Sequence, residues 1–177
     1  MCLLTAEVNS LCPLINLFAA AFDRAHAAGL PSLPHAGETE GPASIWGALD
    51  SLHAVRIGHG VRCFEDPALV AYLRDNQIPL DVSPTSNVCL KVAPSFAEHP
   101  LPQLLVEGLY VTINSDDPPL FSTTLTGEYL KIAAVFGFDR PQIEELVLNG
   151  ASLLPEAERR SMEQDFNQQF TMLRNKN

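Results

Sequence analysis

A chain of 177 residues that is 46% hydrophobic and 18% charged carries enough apolar material for one folded domain with a sizeable core, which excludes a disordered protein. Its 21 acidic against 11 basic side chains give a formal charge of −10, and no Lys/Arg run offsets it, so a nucleic-acid backbone would be repelled. The four cysteines, Cys2, Cys12, Cys63 and Cys89, contain no C-x-x-C pair, the pattern expected of free thiols in a reducing cytoplasm.

The first element is predicted from "LCPLINLFAAAF". It has no basic region ahead of it and follows Glu7, so it reads as an amphipathic helix and not as the core of a secretory leader. Leu14, Leu17, Phe18, Ala21 and Phe22 share one face, and Gly29 stops the helix. No stretch is long enough to span a bilayer, and a soluble cytoplasmic chain is expected. A short strand follows over Ser32–Ala36. Pro42 then opens a helix with Ile45, Trp46, Leu49 and Leu52 on its inner face.

"AVRIGHG" predicts a second strand over Val55–Ile57. Asp66 is the N-cap and Pro67 the first residue of the next helix, whose apolar stripe is Leu69, Val70 and Leu73. "IPLDVSPTSN" reads as a third strand with its loop, "LPQLLVEG" as a short helix ending at Gly108, and "LYVTINSDDPP" as a fourth strand. Helical segments over Leu125–Phe136, Pro141–Leu148 and Pro155–Leu173 complete the order. No low-complexity stretch or linker divides the chain, so 1–177 reads as a single domain.

Strands alternating with helices imply βαβ units and a parallel sheet, and short apolar strands are what such a sheet buries. Each strand ends in a polar cluster: HAGE at 35–38, GHG at 58–60, SPTSN at 83–87 and SDDP at 115–118. HAGE alone is ambiguous. A histidine at a strand end is more often structural than a ligand, and Gly37 would serve equally well in a tight turn. In a (β/α) barrel, however, every strand delivers its C-terminal end to one face, where such enzymes do their chemistry. Four clusters in succession therefore read as a site.

Together with R-I-G-H-G at 56–60, these motifs resemble the adenosine/adenine deaminase family of the metal-dependent amidohydrolase superfamily. The flanking segments "EDPALVAYL", "AEHPLPQLL" and "TTLTGEYL" resemble it too, and the likeness runs from about Leu4 to the last helices. The resemblance implies an α/β fold, the C-terminal half of a TIM (β/α)8 barrel from about strand four to the C-terminal helices. It implies zinc-dependent hydrolytic deamination of a purine base or nucleoside, turning an adenosine- or adenine-like substrate into inosine or hypoxanthine plus ammonia. His35 and Asp116 would be metal ligands. Glu38 would protonate purine N1, His59 would orient or deprotonate the attacking water, and Asp117 would hydrogen-bond N7, with Gly37 beside them in the substrate-binding set. The partner implied is a small purine, with neither nucleic acid nor membrane.

Plainer readings stand beside these. Asp116 and Asp117 suit a turn and an N-cap, and His59 between two glycines suits a buried hydrogen-bonding group. Ser83, Thr85 and Ser86 would only shape the pocket, His26, His53 and His99 would be structural or solvated, and Trp46 would belong to the core. The H-x-E and P-C-x-x-C signature of the cytidine-type zinc deaminases does not occur.

The chain departs from the family at its start. The family's first strand carries an H-x-H pair, and the five histidines here contain none. "LLTAE" stands where the family has a segment ending L-A-G-x-E, with Thr5 near a glycine that contacts the purine. A barrel needs eight strands and about 250 residues. The expectation is therefore a fragment lacking its N-terminal half, with an incomplete zinc ligand set and self-association through exposed half-barrel edges. The alternative is an inactive remnant or a half-barrel subunit that acts only through association. A third reading, an amidohydrolase acting on a non-purine amide or ester, fits HAGE and the Asp116–Asp117 pair less well.

Overall fold

Four short strands, β1 (His35–Ala36), β2 (Ile57–His59), β3 (Leu80–Val82) and β4 (Val111–Ile113), pair in parallel in the order β1-β2-β3-β4. The computed structural model describes residues 12–151 and 154–175, with side chains from residue 17 onward. The register sets His35 beside Gly58, Gly58 beside Asp81, and Asp81 beside Thr112. In a strictly sequential order each crossover steps the same way to the next position. A barrel wall is built like this, whereas a doubly wound sheet reverses its order part-way across. The expected parallel α/β arrangement is present, and all four strand C-termini lie at one edge.

Helix α1 (Cys12–Ala27) precedes β1, and the crossovers between strands are helices α2 (Pro42–Ser51), α3 (Pro67–Asp75), and α4 (Pro84–Cys89) with α5 (Leu101–Val106). Ile45 and Ala48 of α2, Leu69 and Leu73 of α3, and Leu101 and Leu104 of α5 are fully buried with Ile57, Leu80, Val82 and Val111 of the sheet. Asp66 caps α3 as predicted, accepting from the amides of Ala68 and Leu69 ahead of Pro67. Trp46 joins the core from its rim, because its indole N–H donates to Asp66 Oδ2 at 2.9 Å. After β4 come α6 (Pro118–Phe121), α7 (Leu125–Phe136), α8 (Arg140–Asn149), opened by a capping box of Asp139 and Gln142, and α9 (Glu156–Arg174). No described helix is long and apolar enough to cross a membrane.

The structure corrects several expectations. SPTSN is not a loop. Pro84 starts α4 at its first turn, and the buried Glu128 carboxylate accepts from the Thr85 amide at 3.0 Å and from the hydroxyls of Thr85 and Thr123. That tertiary anchor, 43 residues distant, overrides the local turn composition. The second strand lies two residues later than its β-branched run, with Val55 exposed at the approach to it. In α1 only Phe22 of the predicted stripe is buried, while Leu17, Phe18 and Ala21 face outward and Leu14 lies outside the described side chains. Periodicity tells which residues share a face, not whether anything covers it. Cys63 and Cys89 are free thiols, as expected, and Cys2 and Cys12 lie outside the described side chains.

Candidate active site

The strand C-termini open onto a pocket of about 400 Å³ whose walls include His35, His59, Asp81, Ser83 and Asp116. His35 begins β1 and His59 ends β2, and their rings meet edge to face with centroids 5.1 Å apart. Gly58 makes this possible. A Cβ at that position would sit 2.5 Å from His35 Cδ2 and 3.2 Å from its Cα, so the imidazole lies in space only a glycine leaves open. His59 and Asp116 both adopt left-handed backbone, at φ 66° and 56°. This conformation is uncommon outside glycine, although histidine and aspartate tolerate it better than most, and two such residues side by side mark a backbone shaped for side-chain placement.

Glu38 is 6% exposed, and its Oε2 lies 3.6 Å from His59 Nε2. Among the described residues, Glu38, His59 and Asp116 each bring one ligand-capable atom within 4.8 Å of the others. Asp116 is solvent-facing, with Oδ2 accepting from Ser86 Oγ at 2.6 Å. Burial, reinforced by the neighbouring His35 and opposed by Asp116, holds the His59 pKa down at about 4, so His59 is a neutral imidazole at neutral pH. The set of imidazoles and carboxylates beside an open pocket fits a divalent cation of the zinc type.

The sequence-predicted residues thus converge, with two qualifications. The tightest cluster contains Glu38 and His59, whereas His35, read as a ligand, adjoins it through the His59 ring. Asp117 accepts from the Leu120 amide at 3.1 Å and so serves as N-cap of α6. Gly37, at φ +67°, donates its amide to Ser44 Oγ and packs so closely on Ile45 that a Cβ would approach Cδ1 to 2.3 Å.

Sequence reasoning gave Ser86 only a pocket-shaping role and His99 a structural or solvated one, and it gave Asp81 and Asn87 none. Ser86 holds Asp116, and Asp81 lines the pocket. Burial raises the Asp81 pKa, against the opposing pull of Arg56 at 3.4 Å and a hydrogen bond from Thr112. Asn87 contacts His59, and His99 contacts Asn87. A charged residue inside an apolar strand was a visible signal for Asp81. Asn87 closes the SPTSN cluster, but nothing local pointed to its contacts with His59 and His99.

A sequence profile described as adenosine deaminase matches residues 2–168. The chain belongs to the adenosine deaminase family. A relative of this family member, the aminodeoxyfutalosine deaminase of Streptomyces coelicolor, is 50% identical over 129 residues, covering 73% of this chain and 33% of its own length. The solved adenine deaminase of Arthrobacter aurescens superposes with a TM-score of 0.88 at 35% identity, covering 94% of this chain and 50% of that one. An amidohydrolase from Burkholderia ambifaria, solved with bound Zn, gives a TM-score of 0.82 at 28% identity, covering 90% of this chain and 46% of that one. This adenosine deaminase-family chain therefore spans between a third and a half of the length of these relatives. Its sequential parallel sheet is the one found in the TIM-barrel amidohydrolases.

Proposed function

We propose that the chain carries the catalytic face of a zinc-dependent deaminase that replaces the exocyclic amine of an adenine-type purine, base or nucleoside, with oxygen. The observation that carries this reading is the convergence of Glu38, His59 and Asp116, with His35 alongside, at the C-terminal edge of one parallel sheet. His35 and Asp116 would hold the metal, which when bound supplies a water with a pKa lowered to about 7.

The protein's own groups then divide the work. Glu38, buried and held against His59, is placed to deliver a proton to ring N1, which makes C6 electrophilic. His59 steers the water's oxygen toward that carbon. The hydroxyl adds to C6 as the Glu38 proton enters at N1, and the proton the water gives up passes to the Asp116 carboxylate; the C6–N bond then breaks, that proton leaving with ammonia while the C6 hydroxyl proton returns to Glu38. Asp117 holds N7 through a hydrogen bond. General acid–base contributions of this kind are worth about 10²–10⁴-fold each.

The test follows the change in purine absorbance and the release of ammonia, for the 177-residue chain alone and for the chain combined with the N-terminal half of a relative. Glu38→Gln is expected to cost several orders of magnitude in kcat while leaving zinc content unchanged. Activity indifferent to Glu38→Gln would refute the assignment.

A further inference from the structure

We propose that Asn87 and His99 are positioning residues that fix the His59 imidazole in its Nε2–H tautomer, so that His59 meets the attacking water as a hydrogen-bond donor. The role in catalysis rests on the deaminase reading above. The tautomer itself does not.

The argument starts from a donor whose identity is not negotiable. The backbone N–H of Leu101, at the start of α5, donates to His99 Nδ1 at 3.1 Å, so that nitrogen must carry the lone pair. A neutral imidazole has one N–H, which leaves the proton of His99 on Nε2. His99 Nε2 lies 3.1 Å from Asn87 Oδ1 and donates to it. This sets the orientation of the carboxamide, because the reverse would point an N–H₂ group at an N–H. Asn87 Nδ2 is then committed as donor to His59 Nδ1, 3.2 Å away. His59 Nδ1 carries the lone pair, and its proton resides on Nε2, the nitrogen that faces Glu38.

His59, Asn87 and His99 are 2%, 0% and 3% exposed, so bulk water does not relieve a wrong orientation. A mispaired buried donor would be left unsatisfied, at the full cost of its desolvation. The relay runs from main chain to site through three side chains, with each donor fixed by the one before it.

Two consequences follow for the site. A nitrogen that already bears a proton offers no lone pair to a cation, so His59 leaves the metal to His35 and Asp116 despite standing inside the tightest cluster. For the same reason it orients the water by donation and does not deprotonate it through Nε2. The proton leaving the water goes to the carboxylate of Asp116 in the same cluster, since Glu38 is already the donor to N1.

Long-range ¹H–¹⁵N correlation spectra of the histidine rings test this directly. In the wild-type chain, His59 and His99 should each show a pyridine-type Nδ1 and a pyrrole-type Nε2. Asn87→Asp replaces the donor to His59 with an acceptor of the same shape, and His59 Nδ1 should then become protonated. His99→Gln keeps an N–H for Asn87 Oδ1 and should preserve the His59 signature. A wild-type His59 protonated at Nδ1, or an Asn87→Asp spectrum unchanged at His59, would overturn the proposal, and the first of these needs no variant to fold. In the active assembly, Asn87→Asp should lower kcat about 10- to 100-fold with KM little changed, as loss of an outer positioning contact does. Predicted tautomers together with no deaminase activity in the chain combined with a relative's N-terminal half would refute the functional reading and leave the relay standing. Deaminase activity with the opposite tautomer would do the reverse.

Discussion

Gly58→Ala is the most direct probe of whether His35 is a ligand. The added Cβ would lie 2.5 Å from His35 Cδ2, 3.0 Å from Cγ and 3.2 Å from Cα. Carbon atoms settle at about 3.5–4.0 Å, so the ring must retreat by about 1 Å, and the backbone contact gives it little room to tilt away. Overpacking of this degree costs about 1–3 kcal/mol, offset in part by the 0.5–1 kcal/mol or so that alanine gains over glycine in a strand. A net loss of about 1–2 kcal/mol in unfolding free energy is expected, enough to measure and too little to unfold the chain. The effect on metal should be larger in proportion. Displacing a ligand by this distance should weaken zinc about 10- to 100-fold, read by competition with a chromophoric chelator, with His35→Ala as the reference for complete loss. If Gly58→Ala loses stability as calculated but binds zinc as the wild type does, His35 is not a ligand, and the metal assignment falls.

Two further outcomes are expected. Glu128→Gln puts an N–H₂ among donors, since the carboxylate accepts from the Thr85 amide and from the hydroxyls of Thr85 and Thr123; urea unfolding should show a loss of about 2–3 kcal/mol, and wild-type stability would deny that this carboxylate anchors α4. Burial holds His99 neutral, with its pKa down at about 4 against 6.5 in the unfolded chain, so the unfolded state binds more protons between these values; stability should fall as pH drops from 6.5 toward 4, by about 3 kcal/mol from His99 beside a like share from His59, and His99→Gln should remove the His99 share and so lessen that slope.

The strand-end clusters were legible because each strand is an apolar run closed by polar residues, and because parallel connectivity sends all such ends to one edge. Asp66–Pro67 declared the start of α3 for a similarly local reason. What escaped was non-local. α4 depends on a carboxylate 43 residues away, and Asn87 reaches His59 across 28 residues and His99 across 12, distances over which no periodicity survives. The exposed side of α1 escaped for another reason, since a hydrophobic stripe records a capacity to be covered and not the covering itself.

The left-handed backbone at His59 and Asp116 has a consequence for how this site can drift. Conformational tolerance and chemical need act as separate filters at the same two positions. In a saturation library scored for folding alone, glycine, asparagine and aspartate should persist at both, while valine and isoleucine, crowded at Cβ, should be purged. The substitutions that survive this first filter are mostly small and polar. A lineage that loses the chemistry can therefore keep a near-perfect scaffold, and its return to activity lies only one or two residues away.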